Sequence, residues 1–80
     1  MRYVIFSKPE CPYCIKAIEL LEKTEKTFKV VNFAPQQENI LNEMKEAYEW
    51  STVPMVFRID EDGAIDFVGG YTDLSKYLGD

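Results

Sequence analysis

The sequence contains no histidine and only two cysteines. The first absence removes a Ser/His/Asp triad, a Cys/His protease and any histidine metal site. The second removes a disulfide scaffold, since secreted domains stapled in that way carry about four to eight cysteines spread along the chain. A complete tetrahedral zinc site would need two further ligands, from a second chain or from carboxylates. Long apolar runs are missing as well, and nothing approaches the roughly 20 residues of a membrane-spanning helix. The opening stretch Met1 to Lys8 is too short in apolar residues for a signal peptide, and Pro9 and Glu10 follow at once. Basic residues are in the minority: nine Lys and Arg stand against fourteen Asp and Glu, for a net charge of −5. Binding to a phosphate backbone draws on clustered Lys and Arg. A nucleic-acid partner is therefore set aside, and so is a membrane.

What remains suits a small folded unit. Eighty residues leave room for one domain, 1–80, and not for a second. A chain of this size buries only about 60–65% of its unfolded surface, so its core must be economical. With 46% hydrophobic and 14% aromatic residues against 29% charged, the composition can supply one, and it argues against disorder.

The hydrophobic pattern alternates between short strands and helices. Tyr3 to Phe6 is a continuous β-prone run, as expected of a strand covered on both faces. Beyond Pro12, residues Cys14, Ala17, Ile18 and Leu21 fall on one helical stripe, with Lys16, Glu19 and Lys23 opposite. Phe28 to Phe33 reads as a second strand. Pro35 suits the first turn of a second helix, whose stripe is Ile40, Met44 and Ala47 with Leu41 and Tyr48 beside them. Met55 to Ile59 and Ile65 to Val68 are strands joined by the hairpin signal Asp60-Glu61-Asp62-Gly63. Gly69-Gly70 breaks the last strand. Thr72 is then expected to cap a short helix that turns Leu74, Tyr77 and Leu78 inward and closes at Gly79. The order β-α-β-α-β-β-α predicts an α/β fold: a parallel βαβ unit with a right-handed crossover, completed by an antiparallel hairpin. The result is a four-stranded mixed sheet flanked by three helices on both faces.

The chemistry concentrates at Cys11-Pro12-Tyr13-Cys14. A bridge between thiols so close in sequence closes almost no loop and does little as a staple, so the pair points to reactivity. Cys11 falls at the start of a helix, where unsatisfied N–H groups and the positive end of the dipole favour a thiolate. That makes Cys11 the nucleophile. Pro12 fits the first helical turn. Cys14, one turn on, belongs to the inward stripe, at a separation that brings the two Cα atoms within the roughly 4.4–6.8 Å a disulfide accepts. Lys8 could add a positive charge. Two inert core cysteines are the plain alternative, but C-x-x-C beside a βαβ pattern is a recognised redox signal.

Three motifs at matching spacing, Cys11-Pro12-Tyr13-Cys14, Thr52-Val53-Pro54 and Gly69-Gly70-Tyr71-Thr72-Asp73-Leu74, make the chain resemble a dithiol glutaredoxin of the short bacterial or viral type. The likeness covers essentially the whole chain and implies the thioredoxin fold. It also implies that Pro54 is cis beside the active cysteine, leaving Thr52-Val53-Pro54 to present the Val53 backbone. Val53 then pairs antiparallel with the cysteinyl part of glutathione, a short β-augmentation. The helix start at Gly70, Tyr71 and Thr72 resembles the place where glutaredoxins hold the γ-glutamyl carboxylate, with Asp73 facing the ammonium group. Lys8 matches a basic position that meets the glycyl carboxylate, and Tyr13 and Tyr71 flank the groove. Each position has a bland reading: an extended lead into a strand, a glycine turn, a helix start, two half-buried aromatics, a solvated lysine. Gln36, Gln37 and Lys45 are further candidates that do not align clearly. Trp50 reads as packing or a partner surface.

The activity so implied is glutathione-dependent thiol–disulfide exchange on protein disulfides and glutathione mixed disulfides. Glutathione is co-substrate, with no tightly bound cofactor or metal. Ribonucleotide reductase is a protein substrate of such enzymes by the same resemblance, and a cytoplasmic monomer is expected. Three rivals stay open. One is a glutaredoxin-like redoxin reduced by thioredoxin reductase. A second is a glutathione-ligated iron–sulfur carrier, although its usual Cys-Gly-Phe-Ser motif is absent. The third is a non-enzymatic module that binds a protein through the groove.

Overall fold

A computed structural model of the chain describes residues 1–79. Its strands are β1 (Arg2–Ser7), β2 (Phe28–Asn32), β3 (Met55–Ile59) and β4 (Ile65–Gly69), and its helices α1 (Pro12–Lys23), α2 (Glu38–Ala47) and α3 (Tyr71–Leu78). They form one four-stranded sheet of order β2-β1-β3-β4. β1 pairs parallel with β2 and antiparallel with β3, and β4 returns antiparallel to β3. This is the expected thioredoxin-like topology.

Strand periodicity divides the core in two. Tyr3 and Ile5 of β1 and Val56 of β3 pack under α1 and α3 against Ala17, Leu20, Leu21 and Leu74. On the other face, Phe6, Phe33, Met55, Phe57 and Phe67 meet Leu41 and Met44 of α2. That second face is aromatic: Phe57 lies 4.9 Å from Phe6 and 5.2 Å from Phe67, centroid to centroid.

Several expectations are corrected in phase or extent. A 3-10 turn, Pro35–Gln37, precedes α2, and of the expected stripe Leu41, Met44 and Tyr48 carry the packing while Ile40 stays 54% exposed. Ala47 is exposed too. α3 starts before Thr72: Gly70 is its N-cap, and the Asp73 carboxylate accepts the Gly70 N–H at 3.1 Å, the reciprocal half of a capping box. Thr72 therefore sits inside the first turn. Tyr77 is 52% exposed rather than inward, while Leu74 is fully buried and Leu78 packs partly buried against the same core. β2 ends at Asn32, leaving Phe33 buried just beyond the strand, and β4 continues through Gly69.

Both long helices have a glutamate just beyond the C-cap. Glu25 and Glu49 hold left-handed φ of 56° and 53°. Lys26 N–H reaches Leu21 O at 2.9 Å, and Trp50 N–H reaches Lys45 O at 2.7 Å. These are Schellman closures without glycine.

Candidate functional site

Strand direction explains why the three motifs meet. Phe6, near the end of β1, pairs with Met55 at the start of β3, and Val56 pairs with Gly69 at the end of β4. The loops leaving β1, entering β3 and leaving β4 therefore share one edge of the sheet.

Cys11 is the N-cap of α1, with extended φ and ψ of −111° and 102°, and Pro12 occupies the first helical position. Cys14 N–H donates to Cys11 Sγ at 3.2 Å, so the sulfur takes the place of the usual capping oxygen. Cys11 is half-buried, whereas Cys14 is 1% exposed in the inward stripe. The two are joined as a disulfide, with Cα atoms 5.2 Å apart. Cys11 Sγ also stands 3.9 Å from Val53 O, and the Val53–Pro54 peptide is cis. The cysteine pair is thus tied to the loop before β3.

Beside Val53 opens a groove of about 300 Å³ lined by Tyr13, Trp50, Thr52, Val53, Pro54, Gly70, Tyr71, Thr72 and Asp73. The Tyr13 and Tyr71 rings face each other across it at 6.2 Å. Gly70 borders the same groove, and a Cβ there would make ordinary contacts, 3.5 Å from the Trp50 ring and 3.7 Å from Pro54 O. Every expected glutathione-contact residue lines this groove except Lys8. Lys8 is exposed and lines a separate hollow with Pro9, Glu10, Pro35, Glu38 and Leu41. Gln36, Gln37 and Lys45 do not line the groove either, and Gln37 Oε1 is engaged by the Ala34 N–H at 2.9 Å.

Trp50 is the groove residue that the sequence reads as packing or a partner surface. It packs edge-on against Phe67 at 5.1 Å and also walls the groove. Its Nε1–H is buried with no partner among the described residues. Its place two residues before Thr52 was the available signal. Among the described residues, no group of three or more metal-ligating side chains gathers, and no helix is long and apolar enough to cross a membrane.

A helix-capping dithiol beside a cis-proline loop, on a four-stranded mixed sheet, defines a thiol–disulfide oxidoreductase of the thioredoxin fold. The glutaredoxin family model matches residues 3–63. Glutaredoxin 1 of Escherichia coli is 32% identical over 98% of this chain and 93% of its own. A probable glutaredoxin of Acanthamoeba polyphaga mimivirus is 30% identical over 95% of this chain and 76% of its own. In solved structures, a glutaredoxin from Brucella melitensis superimposes with a TM-score of 0.77 at 26% identity, covering 99% of this chain and 79% of that one. The chain belongs to the glutaredoxin family.

Proposed function

We propose that the protein reduces protein disulfides and glutathione mixed disulfides at the expense of glutathione, with Cys11 as nucleophile and Cys14 as resolving thiol. The observation that carries this is the pairing of Cys11 Sγ with the Cys14 N–H at the N-terminus of α1, with Cys11 Sγ 3.9 Å from Val53 O at the groove. Both the N–H donor and the helix end favour a thiolate at Cys11 over a thiol. Cys14 is buried in the helix stripe and bonded to Cys11, which suits it to resolve a disulfide held at Cys11.

Each step conserves atoms and electrons. The Cys11 thiolate attacks one sulfur of the substrate disulfide, that bond breaks, and a mixed disulfide forms as the other sulfur leaves as a thiolate. The Cys14 thiolate then attacks Cys11 Sγ and releases the reduced substrate, so two electrons have passed to it and the Cys11–Cys14 bridge has formed. One glutathione opens that bridge at Cys11. A second removes the first as oxidised glutathione. Deglutathionylation needs Cys11 alone, because the first attack already leaves glutathione on the enzyme.

For the ligand, the Val53 backbone is the candidate partner of the cysteinyl part, and the N-terminus of α3 that of a carboxylate. Asp73 reaches an ammonium group with Oδ1, since Oδ2 already accepts the Gly70 N–H. The test is a coupled assay with glutathione and its reductase on a glutathionylated peptide. Cys11→Ser should abolish turnover, and Cys14→Ser should retain it while losing reduction of a protein disulfide. Equal loss in both variants would refute the assignment, and turnover with thioredoxin reductase but not with glutathione would refute the glutathione dependence.

A further inference from the structure

The sheet face that packs under α2 extends past that helix. Alternation along β1 puts Arg2, Val4 and Phe6 on this face. The register adds Lys29 and Phe57 opposite Val4, Ile59 opposite Arg2, and Ile65 opposite Ile59. Leu41 and Met44 of α2 cover the half that holds Phe6, Met55 and Phe57. The other half lies where β1 and β4 begin and β3 ends. It is at the opposite end of the strands from the loops that carry Cys11 and the groove.

In that half Ile65 is 62% exposed and Ile59 is half-buried. One exposed isoleucine needs no explanation. This one borders a hollow of about 160 Å³ whose walls are apolar or aromatic throughout, Val4, Met44, Phe57 and Ile59 among them. Val4 and Ile59 also wall a second hollow, of about 300 Å³, together with Arg2 and Lys29. The two hollows therefore meet at Val4 and Ile59, one apolar and the other cationic. Both cations are exposed, and neither has an ion pair among the described residues. Asp60 and Glu61 of the hairpin turn share a further hollow with Arg2. Asp60 Oδ1 already accepts the N–H of Asp62 at 2.9 Å and of Ala64 at 3.0 Å, and Glu61 lies open to solvent. Neither carboxylate lines the two joined hollows, and nor do the glutamates of α2. In a chain of net charge −5, these walls carry two positive charges and no negative one.

Sites for small ligands have this make-up: mostly apolar walls, with a few charged groups that fix orientation. An apolar cavity of about 150 Å³ takes a guest the size of benzene, so the apolar hollow has room for about six carbons of a chain. We infer that this face binds an amphiphilic anion, a single-chain carboxylate of about eight carbons. Its tail lies over Ile59 and Ile65, and its carboxylate meets Arg2 and Lys29. The site is separate from the groove and takes no part in thiol–disulfide exchange.

The probe is sodium octanoate, titrated at fixed ionic strength into the isotope-labelled, oxidised protein and followed by amide chemical shifts. The amides of Val4, Lys29, Ile59 and Ile65 should shift and saturate together, while those of Val53, Gly70 and Thr72 in the groove stay still. Affinity should rise from butanoate through hexanoate to octanoate by about two- to four-fold per methylene, the scale of a part-buried to a buried CH₂. Octanol and octylamine should bind more weakly than octanoate. Lys29→Glu should weaken octanoate by about two- to five-fold, the scale of one exposed ion pair. Lys76→Glu, the same charge change on α3 beneath the other face, should leave it as it is. Ile65→Ser, at an exposed position outside the core, should flatten the gain per methylene. Equal binding of butanoate and octanoate, equal binding of octanol and octanoate, or shifts confined to the groove would overturn the inference. So would amides of this face that move when the protein alone is diluted, because they would assign it to a second copy of the chain.

Discussion

An alanine at position 69 disturbs the backbone and the groove together. Gly69 holds φ at +123°, outside the left-handed helical region and scarcely open to an L residue, so occupying it costs about 1–3 kcal/mol. A Cβ built there stands 2.5 Å from Asp73 Oδ2 and 2.8 Å from Asp73 Cβ. Asp73 would have to leave the Gly70 N–H that it accepts, and losing a helix cap costs a further 0.5–2 kcal/mol, about 1 in most hosts. Alanine also restricts the unfolded chain, which returns about 0.4–1 kcal/mol. The net loss is about 1–4 kcal/mol, a large share of the roughly 5–15 kcal/mol that holds a domain folded. Urea unfolding followed by circular dichroism measures it. The same reasoning demands coupling: with Asp73 already displaced, Asp73→Ala should cost about 0.5–2 kcal/mol less in the Gly69→Ala background than alone. A Gly69→Ala protein within about 0.5 kcal/mol of the parent would refute the backbone argument. Strict additivity would refute the displacement of Asp73.

Glu25→Gly and Glu49→Gly should each raise stability by about 0.5–1 kcal/mol, because relief of the left-handed backbone, about 1–2 kcal/mol, exceeds the entropy glycine adds to the unfolded chain; an unchanged urea midpoint in both would contradict this. Tyr3 has its phenol pKa raised above 10.0, first by burial and then by Tyr77, with Arg58 opposing. The unfolded chain thus ionises Tyr3 before the folded one does, so this contribution to stability is whole below about pH 10 and is lost as pH rises through the folded value. Tyr3→Phe should therefore lose less stability than the parent between neutral and alkaline pH, and parallel stability curves would rule the linkage out.

The topology was legible because each strand signals twice. Met55–Ile59 reads as β-prone residues and is bounded by Pro54 and by the Asp60–Gly63 turn, and the structure begins and ends β3 at those residues. In that turn Asp60 Oδ1 accepts the N–H of Asp62 at 2.9 Å and of Ala64 at 3.0 Å, while Gly63 takes the positive φ of 86°. The meeting of the three motifs at one edge follows from strand direction alone. Helix limits were less legible, since Gly at C′ is the usual stop signal and α1 and α2 carry Glu25 and Glu49 there instead. The stripe of α2 was legible only in part, because Ile40, Met44 and Ala47 and Leu41, Met44 and Tyr48 both follow the helical period, and packing against the sheet decides between them.

The start of α3 shows why a local rule can misplace a cap. Thr72 is the better capping residue by type, yet the choice is made by Asp73. From the third position of the helix its carboxylate reaches back to the Gly70 N–H, and that reach requires the open side of Gly69, where any Cβ would collide with it. The two glycines therefore act at different distances. Gly69 admits the Asp73 side chain, whereas a Cβ at Gly70 would make only ordinary contacts with the Trp50 ring and the Pro54 carbonyl. A sequence reading counts them as one turn. Trp50 was hidden for the same reason: its indole is packing toward Phe67 and wall toward the groove, and no one-dimensional pattern separates two faces of one ring. Its Nε1–H is buried with no hydrogen-bond partner among the described residues, a fact that only the assembled structure reveals.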